Sequence, residues 1–155
     1  YAPYSRGNSG GLGHATLEFY VYTVKPWIDS MYRTLTDRDH TGIAGSSMGG
    51  LLSYYAAFEF NDVFGRAGVL SPSLWFNPGV LDLPFRIQGP RCKVYLTGGI
   101  HEMRGMEQAL QLAQKVMMEA GYTEAELTVH MRTHAAHNEA YWGREFKHFM
   151  EWFFA

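Results

Sequence analysis

Disulfide chemistry is the first thing this sequence lacks: among 155 residues Cys92 is the only cysteine, so no intramolecular disulfide can form and nothing requires oxidising export. Set in Arg91-Cys92-Lys93-Val94-Tyr95-Leu96, it reads as a packed strand residue. Long apolar runs are missing too. No stretch approaches the roughly 18 apolar residues of a membrane span, and the start, Tyr1-Ala2-Pro3-Tyr4-Ser5-Arg6-Gly7, has no signal-peptide hydrophobic core. Nor is there an excess of positive charge. With 13 Lys and Arg against 15 Asp and Glu, the net charge of -2 leaves no broad basic face to neutralise phosphates. Nucleic acid and anionic membrane are thereby disfavoured as partners, and a small molecule is expected.

What is present suits a folded catalyst. A content of 46% hydrophobic, 15% aromatic and 18% charged residues is too apolar for disorder, and the length matches one domain spanning 1–155. Residues 1–14, with Gly7, Gly10, Gly11 and Gly13, read as a loop, because no strand precedes them to build a phosphate cradle. Leu17, Tyr20, Val21, Val24, Trp27, Ile28 and Met31 recur at intervals of three and four, predicting an amphipathic helix from Ala15 to about Leu35 with a possible kink at Pro26. Short strands are expected at 41–45, 67–70, 92–97 and 127–131, separated by helices at 48–60 and 106–120 and followed by one at 139–154. Gly121 is the stop for the second of these. Strands alternating with helices imply a mostly parallel sheet flanked by helices, an α/β fold.

Gly45-Ser46-Ser47-Met48-Gly49-Gly50 matches Gly-x-Ser-x-Gly at a strand-to-helix junction, the setting in which a sharp turn lifts a nucleophilic serine above a sheet. Gly45 and Gly49 are read as room for the close approach of strand and helix. The helix start directs the backbone N–H of Met48 at a developing oxyanion. A serine hydroxyl needs a base and the base an orienting acid, and the chain offers an acid after the third strand and His137 after the fourth. The competing reading is a chance helix start, with Ser46 as its cap.

Ile43-Ala44-Gly45-Ser46-Ser47-Met48-Gly49-Gly50-Leu51, then Phe64-Gly65-Arg66-Ala67-Gly68-Val69-Leu70-Ser71-Pro72-Ser73-Leu74-Trp75, and finally His137-Asn138-Glu139-Ala140-Tyr141-Trp142 with Arg144, resemble the esterase family that includes esterase D, feruloyl and enterochelin-type esterases. The resemblance spans essentially the whole chain. It implies a carboxylic-ester hydrolase of the α/β-hydrolase fold with a Ser-acid-His triad and neither metal nor organic cofactor. The nucleophile then falls on Ser47 and the base on His137. The acid falls on Glu102, in Thr97-Gly98-Gly99-Ile100-His101-Glu102 after the third strand, in preference to Glu107, which belongs to the solvent face of the next helix. As the alternative, Glu102 would be a charge complementing that helix's dipole.

The loop Ser71-Pro72-Ser73-Leu74-Trp75-Phe76 lies where parallel sheets form their binding crevice, so Ser71 and Trp75 are the expected substrate contacts. His130, His134 and His137 invite a metal reading, but no ligand spacing is met and His130 sits in a strand, so no metal site is expected. Trp142, Phe146, Phe149 and Phe153 read as a core-facing stripe. The resemblance also implies strands ahead of the serine turn that this chain does not supply, making it a truncated, minimal version of the fold. Two expectations follow: an oxyanion hole with one donor missing, and an uncovered strand edge that favours a homo-oligomer. A remnant acting as a binding or assembly module is the alternative to an active esterase.

Overall fold

Four short runs form the sheet, and the two central ones, Arg66–Leu70 and Lys93–Gly99, are buried along almost their whole length, as a strand covered on both faces requires, while the outer two are only partly buried. The computed structural model describes residues 1–155. Its first elements are a small antiparallel hairpin, β1 (Ser5–Arg6) with β2 (Ser9–Gly10), so the expected N-terminal loop is partly paired. Two short helices follow, α1 (Gly13–Phe19) and α2 (Lys25–Met31), with β3 (Gly42–Ser46), α3 (Met48–Glu59), β4 (Arg66–Leu70), β5 (Lys93–Gly99), α4 (Met106–Glu119), β6 (Leu127–Arg132) and α5 (Glu139–Phe154) beyond them. No helix is long and apolar enough to cross a membrane.

The four strands β3 to β6 lie side by side in chain order and are all parallel, with Ser46, Leu70, Thr97 and His130 in one row across the sheet. On one face Ala67, Val69, Val94 and Leu96 pack against α3 and α4 in a core of 26 residues. α5 covers the other face, where a Cβ on Gly68 would lie 2.9 Å from the Phe149 ring. α3 is enclosed almost all round, with every residue from Gly50 to Phe58 buried. α4 stops where Gly121 takes a positive φ and its N–H and that of Tyr122 bond the carbonyls of Met118 and Met117, the double bond of a Schellman motif.

The expected helix from Ala15 to Leu35 is instead two helices joined by one wide turn, Tyr20–Val24, where the Lys25 N–H reaches back five residues to the Tyr20 carbonyl. Pro26 accounts for it, since it has no N–H to give and its ring crowds the carbonyl four residues earlier. The helical stretch also ends at Met31. Of its expected apolar face only Leu17 and Val21 are buried, while Trp27 and Met31 are exposed.

The stripe on α5 is corrected as well. Tyr141, Glu145 and Phe149 are its buried residues, Phe146 is exposed, and Trp142 is turned toward the strand ends. The inward face includes a carboxylate, which hydropathy alone places outside. The Tyr95 hydroxyl donates to Glu145 Oε1 over 2.8 Å, and Arg132 contributes Nη2 at 2.7 Å and Nε at 3.2–3.3 Å, so the buried charge is compensated.

Candidate active site

The end of β3 turns into α3 through Ser47, whose φ of 56° is sterically costly for a non-glycine residue, on the order of 1–3 kcal/mol. Its backbone is pinned on both sides. The Ser47 N–H donates to the Leu70 carbonyl over 3.0 Å, while its own carbonyl accepts from Leu51 and Ser73 N–H groups. Met48 is the first residue of α3, so its N–H has no helical acceptor four residues earlier and belongs to the positive end of the helix.

Glycine is required here by close approach, though not at both expected positions. A Cβ on Gly45 would sit 2.6 Å from the Gly49 carbonyl carbon and oxygen, and one on Gly50 would sit 2.6 Å from the Leu70 oxygen. A Cβ on Gly49 would meet nothing within 4 Å, so the packing constraint falls on Gly45 and Gly50, and the expectation for Gly49 is withdrawn.

His137 comes from the loop after β6 and lies 90 residues from Ser47 in sequence. Its Nε2 stands 3.0 Å from Ser47 Oγ. Two features hold that loop. Gly99 lies under it, since a Cβ there would be 2.7 Å from Ala135 Cβ, and Asn138 caps α5 by accepting the Tyr141 N–H at 3.0 Å.

The Glu102 side chain is fully buried, and its Oε1 faces His137 Nδ1 across 3.7 Å. Neither atom has a hydrogen-bond partner, which leaves each as the polar neighbour the other needs. The alternative, a solvated charge at the start of α4, does not describe this side chain. Glu107 lies on the exposed side of α4 and bonds Gln111.

Ser71 is not the substrate contact expected of it. It is fully buried, and its hydroxyl is engaged by Glu102 Oε2 and Trp142 Nε1, each at 3.0 Å, so it lies behind the carboxylate and away from solvent. Trp75 is 55% exposed, and it lines a shallow cleft with Tyr4, Arg6 and Phe76; the Arg6 guanidinium lies 5.7 Å from its ring centroid. Sequence reasoning missed Ser73, whose Oγ is 3.3 Å from Ser47 Oγ, and it read Trp142 as core. No signal distinguished Ser73 from its neighbour Ser71.

The other two histidines of the metal reading, His130 and His134, make no hydrogen bond to Ser47, Glu102 or His137. His130 packs against the Tyr95 ring at 5.2 Å, and burial, then Arg132, holds its pKa below the ordinary value. His134 is exposed.

A parallel sheet carrying a strained serine at the end of its first strand, with a carboxylate and a histidine on later strand ends, is the hydrolase form of the α/β architecture. The model of the "Putative esterase" family matches residues 1–153, and the chain belongs to that family. Among curated proteins, the uncharacterized protein YbbA of Bacillus subtilis (strain 168) is 24% identical over 153 residues, covering 94% of this chain and 61% of its own. Among solved structures, the S-formylglutathione hydrolase FrmB of Staphylococcus aureus superposes with a TM-score of 0.72 at 19% identity, over 91% of this chain and 61% of that one. The enterobactin esterase FES of Shigella flexneri superposes with a TM-score of 0.69 at 19% identity, over 79% of this chain and 32% of that one. At such identities the structural likeness speaks for the fold. The chain thus spans less than two thirds of the length of these relatives.

Proposed function

We propose that this chain is a serine carboxylesterase acting on small, short-chain or aryl, carboxylic esters through an acyl-enzyme. Ser47 Oγ attacks the ester carbonyl while His137 Nε2 takes its proton, and His137 returns that proton to the departing alcohol. Water then enters and gives a proton to His137 as its oxygen bonds the acyl carbon; the bond from that carbon to Ser47 Oγ breaks, His137 returns the proton to Ser47 Oγ, and the acid leaves with the free serine restored. Glu102 orients the imidazole and stabilises the imidazolium formed in both halves. The Met48 N–H donates to the tetrahedral oxyanion, a contribution on the order of 3 kcal/mol for one such donor. Trp75, exposed on the loop that also carries Ser73, is the residue we propose to meet the acyl or alcohol group.

The observation that carries this reading is the 3.0 Å approach of His137 Nε2 to Ser47 Oγ, a nucleophile–base distance brought about by folding. The test is hydrolysis of p-nitrophenyl acetate and labelling by a fluorophosphonate, each with the chain and with Ser47→Ala. Turnover and stoichiometric labelling, both lost in Ser47→Ala, are expected. Labelling unaffected by the substitution would overturn the assignment. The 3.7 Å between His137 and Glu102 favours one second reading, a remnant that binds or assembles without turnover, and a folded chain that neither labels nor hydrolyses would select it.

A further inference from the structure

Behind the candidate acid lies a pair of side chains for which the esterase mechanism so far has no use. Ser71 and Glu102 are 31 residues apart and Ser71 and Trp142 are 71 apart, yet the three meet in one line of hydrogen bonds. The indole Nε1–H is a donor only, so when it gives its hydrogen to Ser71 Oγ, at 3.0 Å, the hydroxyl proton must point elsewhere. Its other neighbour is Glu102 Oε2, also at 3.0 Å. The direction of the chain is therefore determined: Trp142 donates to Ser71, and Ser71 donates to Glu102.

The consequence falls on the remaining carboxylate oxygen. With Oε2 held, Oε1 is the atom left to face His137 Nδ1. Trp142 also touches the imidazole itself, its ring meeting that of His137 edge to face with centroids 4.8 Å apart at 84°. Ser71 has little freedom to respond, since it is fully buried, has a positive φ of 42°, and its N–H is bonded to the Thr97 carbonyl at 2.7 Å. A buried hydroxyl on a rigid backbone, oriented by one donor and spent on one carboxylate, is a means of fixing that carboxylate's rotation.

We propose that Ser71 and Trp142 are positioning residues for the esterase reaction, a donor relay that sets the orientation of Glu102 and through it the protonation geometry of His137. The proposal rests on the serine-esterase reading above. Removing the Ser71 hydroxyl frees the carboxylate to turn from the imidazole, which weakens support for the imidazolium. His137 then gives up its proton at lower pH.

The experiment compares Ser71→Ala and Trp142→Phe, which removes the indole N–H and keeps an aromatic ring, with Glu102→Ala and with the double variant Ser71→Ala/Glu102→Ala. Ser71→Ala is expected to lower kcat by about ten- to a hundredfold, the range for one hydrogen bond to a charged group, and Trp142→Phe, which removes a hydrogen bond between neutral groups, by about two- to tenfold, with KM changed less than about twofold in both. The acid limb of kcat/KM moves to lower pH. In the Glu102→Ala background Ser71→Ala costs nothing further, because a residue acting through Glu102 is silent without it. A kcat loss in that background equal to the loss in the wild type overturns the relay, as does an unmoved acid limb. Titration of the His137 ring resonances by NMR, in the wild type and Ser71→Ala, decides the same question without turnover: a lowered imidazole pKa supports the relay and an unchanged one refutes it. Esterase activity that needs Ser47 but ignores Ser71 and Trp142 refutes the relay alone, whereas activity that ignores Ser47 refutes the esterase reading.

Discussion

Replacing Gly45 by alanine tests whether the separation of β3 and α3 positions the candidate nucleophile. The added Cβ would lie 2.6 Å from the Gly49 carbonyl, backbone against backbone, with no flexible side chain to yield. Restoring ordinary van der Waals contact near 3.4 Å moves helix from strand by about 0.8 Å. Overpacking of this kind costs about 1–3 kcal/mol, which in a chain of this size lowers Tm by about 2–12 °C. Carried in full to the catalytic pair, the same shift opens the Ser47–His137 distance from 3.0 Å to about 3.8 Å, past the limit of a hydrogen bond, and a misplacement approaching 1 Å costs about a hundredfold in rate. Gly49→Ala is the control. Its Cβ enters open space within α3, so it is expected to be neutral or to stabilise by up to about 1 kcal/mol. Thermal unfolding followed by circular dichroism and p-nitrophenyl acetate hydrolysis are the assays. A Gly45→Ala protein with wild-type Tm and rate, or a Gly49→Ala protein equally impaired, would refute the reasoning.

The Glu145 carboxylate is desolvated, which alone would raise its pKa, but hydrogen bonds from Arg132 and Tyr95 outweigh this and hold it below the ordinary carboxylate value. Its contribution to stability is therefore present above the unfolded-state value and is lost as pH falls through the depressed folded one; urea unfolding between about pH 6 and pH 3 should show a steeper decline for the wild type than for Glu145→Gln, and equal slopes would contradict this. Burial pushes the Cys92 thiol up to about 12, against a smaller opposing effect of Arg38. A thiol reagent at pH 8 is expected to modify Cys92 only after denaturation, and rapid native labelling would show that the β5 region opens. The outer edge of β3 pairs with no strand and lies beside exposed Phe146 and Phe154, and we propose that a second copy of this chain binds there. Sedimentation at micromolar concentration should then find a dimer or larger species, and a monodisperse monomer would refute it.

Local pattern alone determined a good deal. The strands at 42–46, 66–70, 93–99 and 127–132 and the helices at 48–59, 106–119 and 139–154 lie within about two residues of their expected bounds. Hydrophobic period and a glycine stop such as Gly121 are written in neighbouring residues, which is why they could be read. The turn at Ser47 was legible for the same reason, because the Gly-x-Ser-x-Gly pattern at a strand-to-helix junction is local, though its backbone is held by Leu70 and Ser73 from elsewhere in the chain. Only the tertiary structure decided the rest. Which glycine matters depends on what approaches it, and Gly45 and Gly50 are crowded where Gly49 is open. Ser71 lies behind Glu102 because sheet register and the path of α5 bring together residues 31 and 71 positions apart, and no local pattern encodes such distances. Glu145 faces inward because Tyr95 and Arg132, on two different strands, compensate its charge. Trp27 and Met31 stay exposed because an amphipathic period states which residues share a face and leaves open whether anything packs against it.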